Sequence, residues 1–260
     1  DVDRTLTNLA YDIDTKGVTG GVEYAGAGTL FGAAVNYAKG EADTIGVAGT
    51  NVKAIQLGLY GGWGGASGGF VEGYAGMGWT DYDFTREAVI DQIHGETDGR
   101  NLMAGIRGGY LFGNGNIRFG PVIGLDYAKA DFDSYTETGD AVLTLNVEDQ
   151  EVDALTGSAG VELRADYDSG AMAVRPYAQA MLQKEFEGDG RTVRYAGTAS
   201  PTIVNSFVLP GRSEDVYGRL TGGASIALAN ALTLQANASG TIEREGGNDF
   251  SALLGLNLGF

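Results

Sequence analysis

Histidine is the side chain that most often moves protons in enzymes, and this chain has a single one, His94. It lies in the stretch D-Q-I-H-G-E-T-D-G, close to Asp91, Glu96 and Asp98. A histidine among carboxylates could act as the base of a protease or phospholipase. However, no serine motif and no apolar pocket surround it, and a metal site would need more nitrogen ligands. We interpret His94 as a solvated loop residue and predict no catalytic residue.

Other patterns with possible chemistry are equally weak. Asp149, Glu151 and Asp153 are spaced faintly like a calcium loop, but the glycine and the distal glutamate of such a loop are missing. The stretch G-G-W-G-G-A-S-G-G lacks the lysine of a phosphate-binding loop, and the chain has no cysteine to act as a nucleophile or metal ligand. A net charge of −17 argues against nucleic acid as a partner. We therefore predict no metal, no cofactor and no enzymatic activity.

The elements that carry the charged residues are β-strands, as the last eleven residues illustrate. In F-S-A-L-L-G-L-N-L-G-F, apolar residues from Phe250 to Phe260 alternate with small or polar ones, except at Leu253. Period-two alternation is typical of a strand with one apolar face. Ten further segments show it, giving eleven strand patterns. No apolar run has the eighteen or so residues that a transmembrane helix needs.

The connections between these strand patterns alternate strictly in length. Short turns such as G-N-G-N and D-S-G are followed by long acidic segments, predicted as loops at about 41–50, 81–100, 131–153 and 188–215. Tyrosine, tryptophan and phenylalanine fall near the strand ends. Both features are typical of an outer-membrane barrel, with short periplasmic turns, long extracellular loops and aromatic girdles. We predict one all-β domain over residues 1–260, an antiparallel up-and-down transmembrane β-barrel.

Strand parity bears on how such a barrel closes. Single-chain bacterial barrels have even strand numbers, so eleven patterns imply a twelfth strand that removes the unpaired edge. We expect it upstream of Asp1, or else within residues 1–13, whose alternation is poor. The C-terminus would then be periplasmic and the long acidic loops extracellular.

In a barrel of this kind, ten charged residues would point into the lumen. A lipid-facing arginine at the midplane costs about 2–4 kcal/mol, whereas charges in a lumen can pair with each other and with water. They could stiffen the wall through mutual salt bridges or hold a segment of chain inside the lumen, and both roles stay open. The ten residues are Glu23, Glu72, Arg107, Arg118, Asp126, Glu162, Arg164, Asp166, Arg175 and Arg219.

The final strand resembles the assembly signal of bacterial outer-membrane barrels, with Gly255, Leu258 and Phe260 at the expected glycine and terminal apolar positions. The whole chain resembles the C-terminal translocator domain of autotransporters, most closely those attached to GDSL-type esterase or lipase passengers. The matching stretches are Y-D-I-D-T-K-G-V-T-G-G-V-E-Y, L-G-L-Y-G-G-W, G-E-T-D-G, G-P-V-I-G-L-D-Y, Y-T-E-T-G-D and G-D-G-R-T-V, in that order. This resemblance implies twelve strands and a lumen crossed by a helix that leads to the passenger.

Function follows from this resemblance. We expect a non-catalytic translocator or anchor that carries an N-terminal passenger in cis to the bacterial surface. Its expected partners are outer-membrane lipid and lipopolysaccharide and the barrel-assembly machinery, and a monomer is expected. The alternative is a stand-alone outer-membrane porin or surface-binding barrel. The sequence upstream of Asp1 would discriminate between them, because a passenger there favours the translocator.

Overall fold

A computed structural model of the chain describes residues 11–44, 48–65, 68–88, 91–113, 115–140, 142–170, 172–187, 191–209, 215–228, 232–244 and 248–258. These residues form sixteen β-strands in chain order. They are β1 (Tyr11–Gly26), β2 (Thr29–Thr44), β3 (Ala48–Gly64), β4 (Gly69–Arg86), β5 (Ile93–Tyr110), β6 (Ile117–Phe132), β7 (Tyr135–Thr136), β8 (Leu145–Val147), β9 (Gln150–Ala165), β10 (Tyr167–Asp168), β11 (Met172–Glu187), β12 (Arg191–Gly197), β13 (Val204–Leu209), β14 (Tyr217–Leu228), β15 (Leu232–Ile242) and β16 (Phe250–Leu258). In the described part of the chain, no helix is long and apolar enough to cross a membrane.

Eleven strands form one antiparallel meander in the order β1-β2-β3-β4-β5-β6-β9-β11-β14-β15-β16, and the two-residue β10 pairs with β11. The predicted all-β architecture and its eleven strand patterns are confirmed. Within the described residues, β1 pairs only with β2, and β16 only with β15. Tyr11–Ile13 belong to β1 itself, while residues 1–10, the other part of the proposed source of a twelfth strand, lie outside the described residues.

The sheet curls into a half-barrel, and one contact shows the direction of the curl. Arg164 on β9 donates to Glu72 on β4 at 3.0 Å, although β5 and β6 lie between their strands. In a flat sheet, strands three places apart lie about 14 Å from each other. The face that carries Arg164 and Glu72, here called the polar face, is therefore concave.

The opposite face, here called the apolar face, is convex and uncovered. Many of its large side chains are 40–85% exposed, among them Val18, Val35, Leu57, Met77, Ile106, Ile123, Leu163, Leu220, Leu254 and Leu256. A water-soluble protein rarely leaves a continuous apolar patch of this extent exposed to water. In a membrane barrel, a face of this kind contacts lipid.

The two ends of the sheet differ. At the turn end, tight turns join the strands. One of them is Ala27-Gly28, where both residues have positive φ, 52° and 77°. At the loop end, strands β7, β8, β12 and β13 form a second sheet, here called the cap, in the order β13-β12-β8-β7. Phe70, Leu111 and Val122, with Met181 against them, make a small apolar core near the turn end.

The predicted loops were wrong in extent, because most of their residues continue the strands. Strand β4 runs to Arg86 and β5 starts at Ile93, which is its partner, so the 81–100 segment is largely a hairpin. Likewise β6 reaches Phe132, β9 begins at Gln150, and the 188–215 segment contains β12 and β13. At these strand ends charged residues such as Asp81 and Asp83 stand where the outer apolar face would continue, so the hydrophobic pattern of that face stops short of them.

Candidate functional site

Four alternating charges occupy the centre of the polar face. Arg107 on β5 donates through Nε to Glu72 at 2.8 Å and also contacts Glu162 on β9 at 3.5 Å. Arg164 donates to both glutamates. Each carboxylate therefore meets two guanidinium groups, and the cluster is neutral as a whole.

Glu162 is the most buried member of this cluster, with a side chain only 1% exposed. It accepts hydrogen bonds from Arg164, Arg107 and Gln179. A buried carboxylate is tolerated when cations and donors surround it in this way, and removing one partner leaves an uncompensated charge. Arg164 also lies over the ring of Phe70, 4.3 Å from its centroid, which ties the charges to the apolar core.

Tyrosine hydroxyls bridge over glycines elsewhere on the same face. Tyr74 on β4 donates to Asp126 on β6 at 2.8 Å, passing over β5. Tyr60 donates in the same way to Glu23 at 2.9 Å, and Tyr177 to Asn237 at 2.8 Å. In each case the middle strand supplies a glycine in register with both partners, namely Gly105, Gly32 and Gly223.

Two smaller groups complete the set of predicted lumen charges. Asp166, at the junction after β9, accepts from Arg118 at 2.6 Å and lies 3.5 Å from Arg175. Arg219 on β14 donates to Gln183 at 2.8 Å and lies 3.6 Å from Asp249. All ten residues thus have polar partners on one face, in two clusters, two tyrosine bridges and the contacts of Arg219.

The concave side contains an open hollow of about 780 Å³. Its lining includes Glu72, Arg107, Asp126, Arg164 and Arg219 from the predicted set. Glycines and small residues from β1 to β6 provide the remaining room, since they leave backbone where larger side chains would stand. The arrangement is a hollow whose charged side chains are paired with one another or with other polar groups.

The residues singled out for possible catalysis or metal binding do not assemble with this hollow. His94 is exposed but lies in strand β5 rather than in a loop, where its backbone forms a bridge to Thr138. Glu151 of the acidic triad pairs with Lys129 at 2.8 Å. Across the described ranges, no group of three histidine, cysteine, aspartate or glutamate side chains is placed to hold a metal ion.

The cap is held to the main sheet by a contact that sequence reasoning missed. Arg86, the last residue of β4, grips Glu137 with two bonds, from Nε at 2.9 Å and from Nη2 at 2.6 Å. The same guanidinium donates to the carbonyl of Leu143, and Glu137 also accepts from the Leu145 amide. The bond to Glu137 raises the pKa of Arg86 above its ordinary value.

Glu137 belongs to the stretch Y-T-E-T-G-D, so a sequence signal for this contact existed. In that stretch, Tyr135 packs edge-on against Phe84 at 4.8 Å, and burial raises the pKa of its hydroxyl. Gly139 adopts a positive φ of 121° against the backbone of Gln92. Asp140 accepts two backbone amides and closes the turn. The residues of this stretch therefore serve to dock the cap onto the main sheet.

Two of the three predicted assembly residues, Gly255 and Leu258, lie in the edge strand β16. Gly255 pairs with Gln235, and Leu258 pairs with Leu232 at the turn end of the sheet. Phe260 lies outside the described residues. Leu253, the exception to the alternation, stands on the polar face in register with Asn237 and is 62% exposed.

Comparisons with known proteins agree with this architecture. A family model described as the autotransporter beta-domain matches residues 1–239. Among solved structures, the chain is similar to the translocator domain of autotransporter NalP from Neisseria meningitidis, with 17% identity, a TM-score of 0.75, and 96% of this chain and 82% of that chain covered.

Two further solved structures share the fold. The beta domain of the Bordetella autotransporter BrkA has 18% identity and a TM-score of 0.63, with 96% of this chain and 88% of that chain covered. The transport unit of AIDA-I from Escherichia coli has 14% identity and a TM-score of 0.60, with 96% and 83% covered. No curated protein matches the chain in sequence.

Proposed function

Because the chain belongs to the autotransporter beta-domain family, we propose that it anchors in the bacterial outer membrane and carries an N-terminal passenger to the cell surface, without catalysing a reaction itself. The observation that carries this proposal is the contrast between the two faces. A continuous apolar face suits lipid, and a concave polar face with paired charges suits a lumen.

The pairing of the charges supports a passive role for the hollow. Glu72, Glu162 and Asp166 each meet two cations, so these carboxylates are held as fixed acceptors rather than presented to a substrate. A general acid or base needs a group that is free to exchange its proton with a substrate. We propose that the ten charged residues line the lumen and mainly stiffen its wall.

The orientation is part of the same proposal. We place the cap at the extracellular side and the turn end in the periplasm, since long connections of outer-membrane barrels face outward. The absence of cysteine allows a clean test. Thr202→Cys in the cap should react with an impermeant maleimide on intact cells, whereas Ser169→Cys at the turn end should react only after lysis. The reverse pattern would invert the topology.

Translocation is tested by fusing a signal peptide and a reporter passenger upstream of residue 1, with an esterase-type passenger as the first choice. We expect the reporter to become sensitive to external protease only when the barrel is attached. A reporter that stays inside although the barrel is inserted and maleimide-labelled would contradict translocation. A large, steady conductance of the passenger fusion in planar bilayers would favour a porin.

Assembly is proposed to depend on the C-terminal strand, recognised by the barrel-assembly machinery through Gly255, Leu258 and Phe260. Deleting Phe260 should lower surface display in cells while leaving refolding from urea into detergent intact. The expected loss of burial is at most about 1.5–3 kcal/mol, which the paired strands can absorb. Equal losses in both assays would make Phe260 a packing residue, and normal display would remove it from the signal.

A further inference from the structure

Three of the five lysines of this chain stand side by side on adjacent strands. In the register of the sheet, Lys16 pairs with Lys39 and Lys39 pairs with Lys53. Each lies two residues from an apolar-face residue, beside Val18, Tyr37 and Ile55, so all three lysines project from the apolar face. They form the first charged row beyond the apolar surface at the loop end.

Such a row is unfavourable by itself, because like charges directly opposite each other on paired strands repel. The ion pairs present relieve it only in part. Lys16 meets Asp14 at 3.2 Å and Lys53 meets Asp83 at 3.8 Å, and all four side chains are at least 45% exposed. Exposed pairs of this kind contribute little.

Lys39, in the middle of the row, has fewer contacts that offset its positive charge than Lys16 and Lys53 have. Its ammonium lies 5.9 Å from the ring centroid of Tyr37, and it forms no ion pair with any residue inside the described ranges. Asp14, Glu41 and Asp83 stand one register row farther from the apolar surface. Asp81 on β4 continues the lysine row itself, directly opposite Lys53. An anion approaching Lys16 and Lys39 from the lipid side therefore meets these two ammonium groups before it meets the carboxylates of Asp14 and Glu41.

The three lysines surround a recess of about 590 Å³. Val18 and Tyr37 form its apolar side and are 69% and 40% exposed, and the carboxylates form the side toward the loop end. Lysine can lay its aliphatic stem along an apolar surface while keeping its ammonium in water. The recess thus joins a cationic rim to a surface that accepts hydrocarbon.

We propose that Lys16, Lys39 and Lys53 bind the phosphate of a phosphorylated lipid in the leaflet at the loop end, with its acyl chains against the apolar face. A lipid is favoured over free phosphate because the recess opens directly onto exposed apolar side chains. Juxtamembrane lysines gain about a factor of five in affinity each at an anionic lipid surface. This inference rests on the membrane location in the proposed function.

The test uses the full chain refolded in detergent and titrated with bis-phosphorylated lipid A, with binding read by native mass spectrometry. We expect K39Q/K53Q to weaken binding about 25-fold, from two lysines at about fivefold each. The matched control is K129Q/K184Q, which removes equal charge from the same face outside the row. It should stay within about twofold of wild type, and K39R should bind like wild type.

Several results would overturn the proposal. Equal binding of dephosphorylated lipid A would show that the phosphate is not recognised, and equal losses in both double variants would show a general charge effect. Competition by inorganic phosphate at equal concentration would mean that the row binds an ion rather than a lipid. If K39Q/K53Q fails to refold, the single variant K39Q must show about a fivefold loss. Passenger display is measured separately, so failure of translocation leaves this readout interpretable.

Discussion

Tyr74 donates a hydrogen bond to Asp126 at 2.8 Å although a whole strand lies between them. The intervening residue is Gly105, which is in register with both. A side chain there would block the bridge, because a Cβ on Gly105 would overlap the Tyr74 ring and the Asp126 carboxylate. The glycine therefore lets two strands that are not neighbours bond directly and helps to fix the curvature of the sheet.

We expect Gly105→Ala to destabilise the folded chain by about 1–3 kcal/mol, since the added methyl group overpacks the bridge and displaces the tyrosine. The measurement is equilibrium unfolding in urea from detergent. Gly58→Ala is the control. Gly58 lies on β3 and also faces the concave side of the sheet, but a Cβ there would meet only a backbone oxygen at 4.0 Å. Similar losses in both variants would assign the effect to strand propensity instead of the bridge.

The buried cluster provides a second prediction. The Glu162 side chain is 1% exposed and pairs with both Arg107 and Arg164. Glu162→Gln keeps the size of this side chain but removes the negative charge that the two guanidinium groups share. We expect a loss of about 3–5 kcal/mol, as for a broken buried ion pair. Asp166→Asn should cost at most about 1 kcal/mol, because Asp166 is 44% exposed. The measurement is equilibrium unfolding of both variants. If the two unfolding curves coincide, burial does not strengthen the ion pairs of the central cluster.

The membrane part of this fold could be predicted from sequence, and particular residues show why. Leu57 and Met77 alternate with glycines and polar residues, so hydrophobicity marks both the strand and its outward face. Arg107 and Glu162 were assigned to the polar face for the same reason, since each interrupts an apolar strand with a charge.

The cap and the tyrosine bridges could not be predicted in this way. Strand β7 has only two residues, and β12 mixes polar and apolar side chains on both faces, so neither shows a hydrophobic period. Tyr74 and Asp126 are 52 residues apart, and their contact depends on the register of three strands. Local pattern fixes which face a residue occupies but not which neighbour it meets across the sheet.

The cap contact leads to a third prediction. Arg86→Lys cannot keep both bonds to Glu137 and the bond to the Leu143 carbonyl, because an ammonium lacks the planar fork of a guanidinium. We expect the cap to open more often, with chymotryptic cleavage near Tyr135 and Tyr195 faster by roughly tenfold, equivalent to about 1.4 kcal/mol. Heat-modifiable migration of the barrel on gels should persist.

The control for the cap is Arg194→Lys. Its pair with Glu148 is 3.3 Å long and about half exposed, so its loss should change cleavage less than twofold. If cleavage rises equally in both variants, the effect does not come from the specific contact between Arg86 and Glu137. Unchanged cleavage in Arg86→Lys would show that the remaining contacts, such as Tyr135 against Phe84 and the bridge of Thr138 to His94, hold the cap without the Arg86 fork.

The last prediction measures how deep each part of the apolar face lies. Leu57 stands about halfway along β3 between Lys53 and Trp63, and it is 46% exposed on the apolar face. Leu57→Arg should cost about 2–4 kcal/mol in lipid vesicles, as for a charge at the bilayer midplane. Asn51→Arg, on the same face beyond the lysine row, should cost about 0–1 kcal/mol, since it reaches the interface. Unfolding titrations in vesicles of the two variants give this difference directly. Equal costs at both positions would contradict a membrane boundary near Lys53, and no cost at Leu57 would contradict a lipid-facing apolar surface altogether.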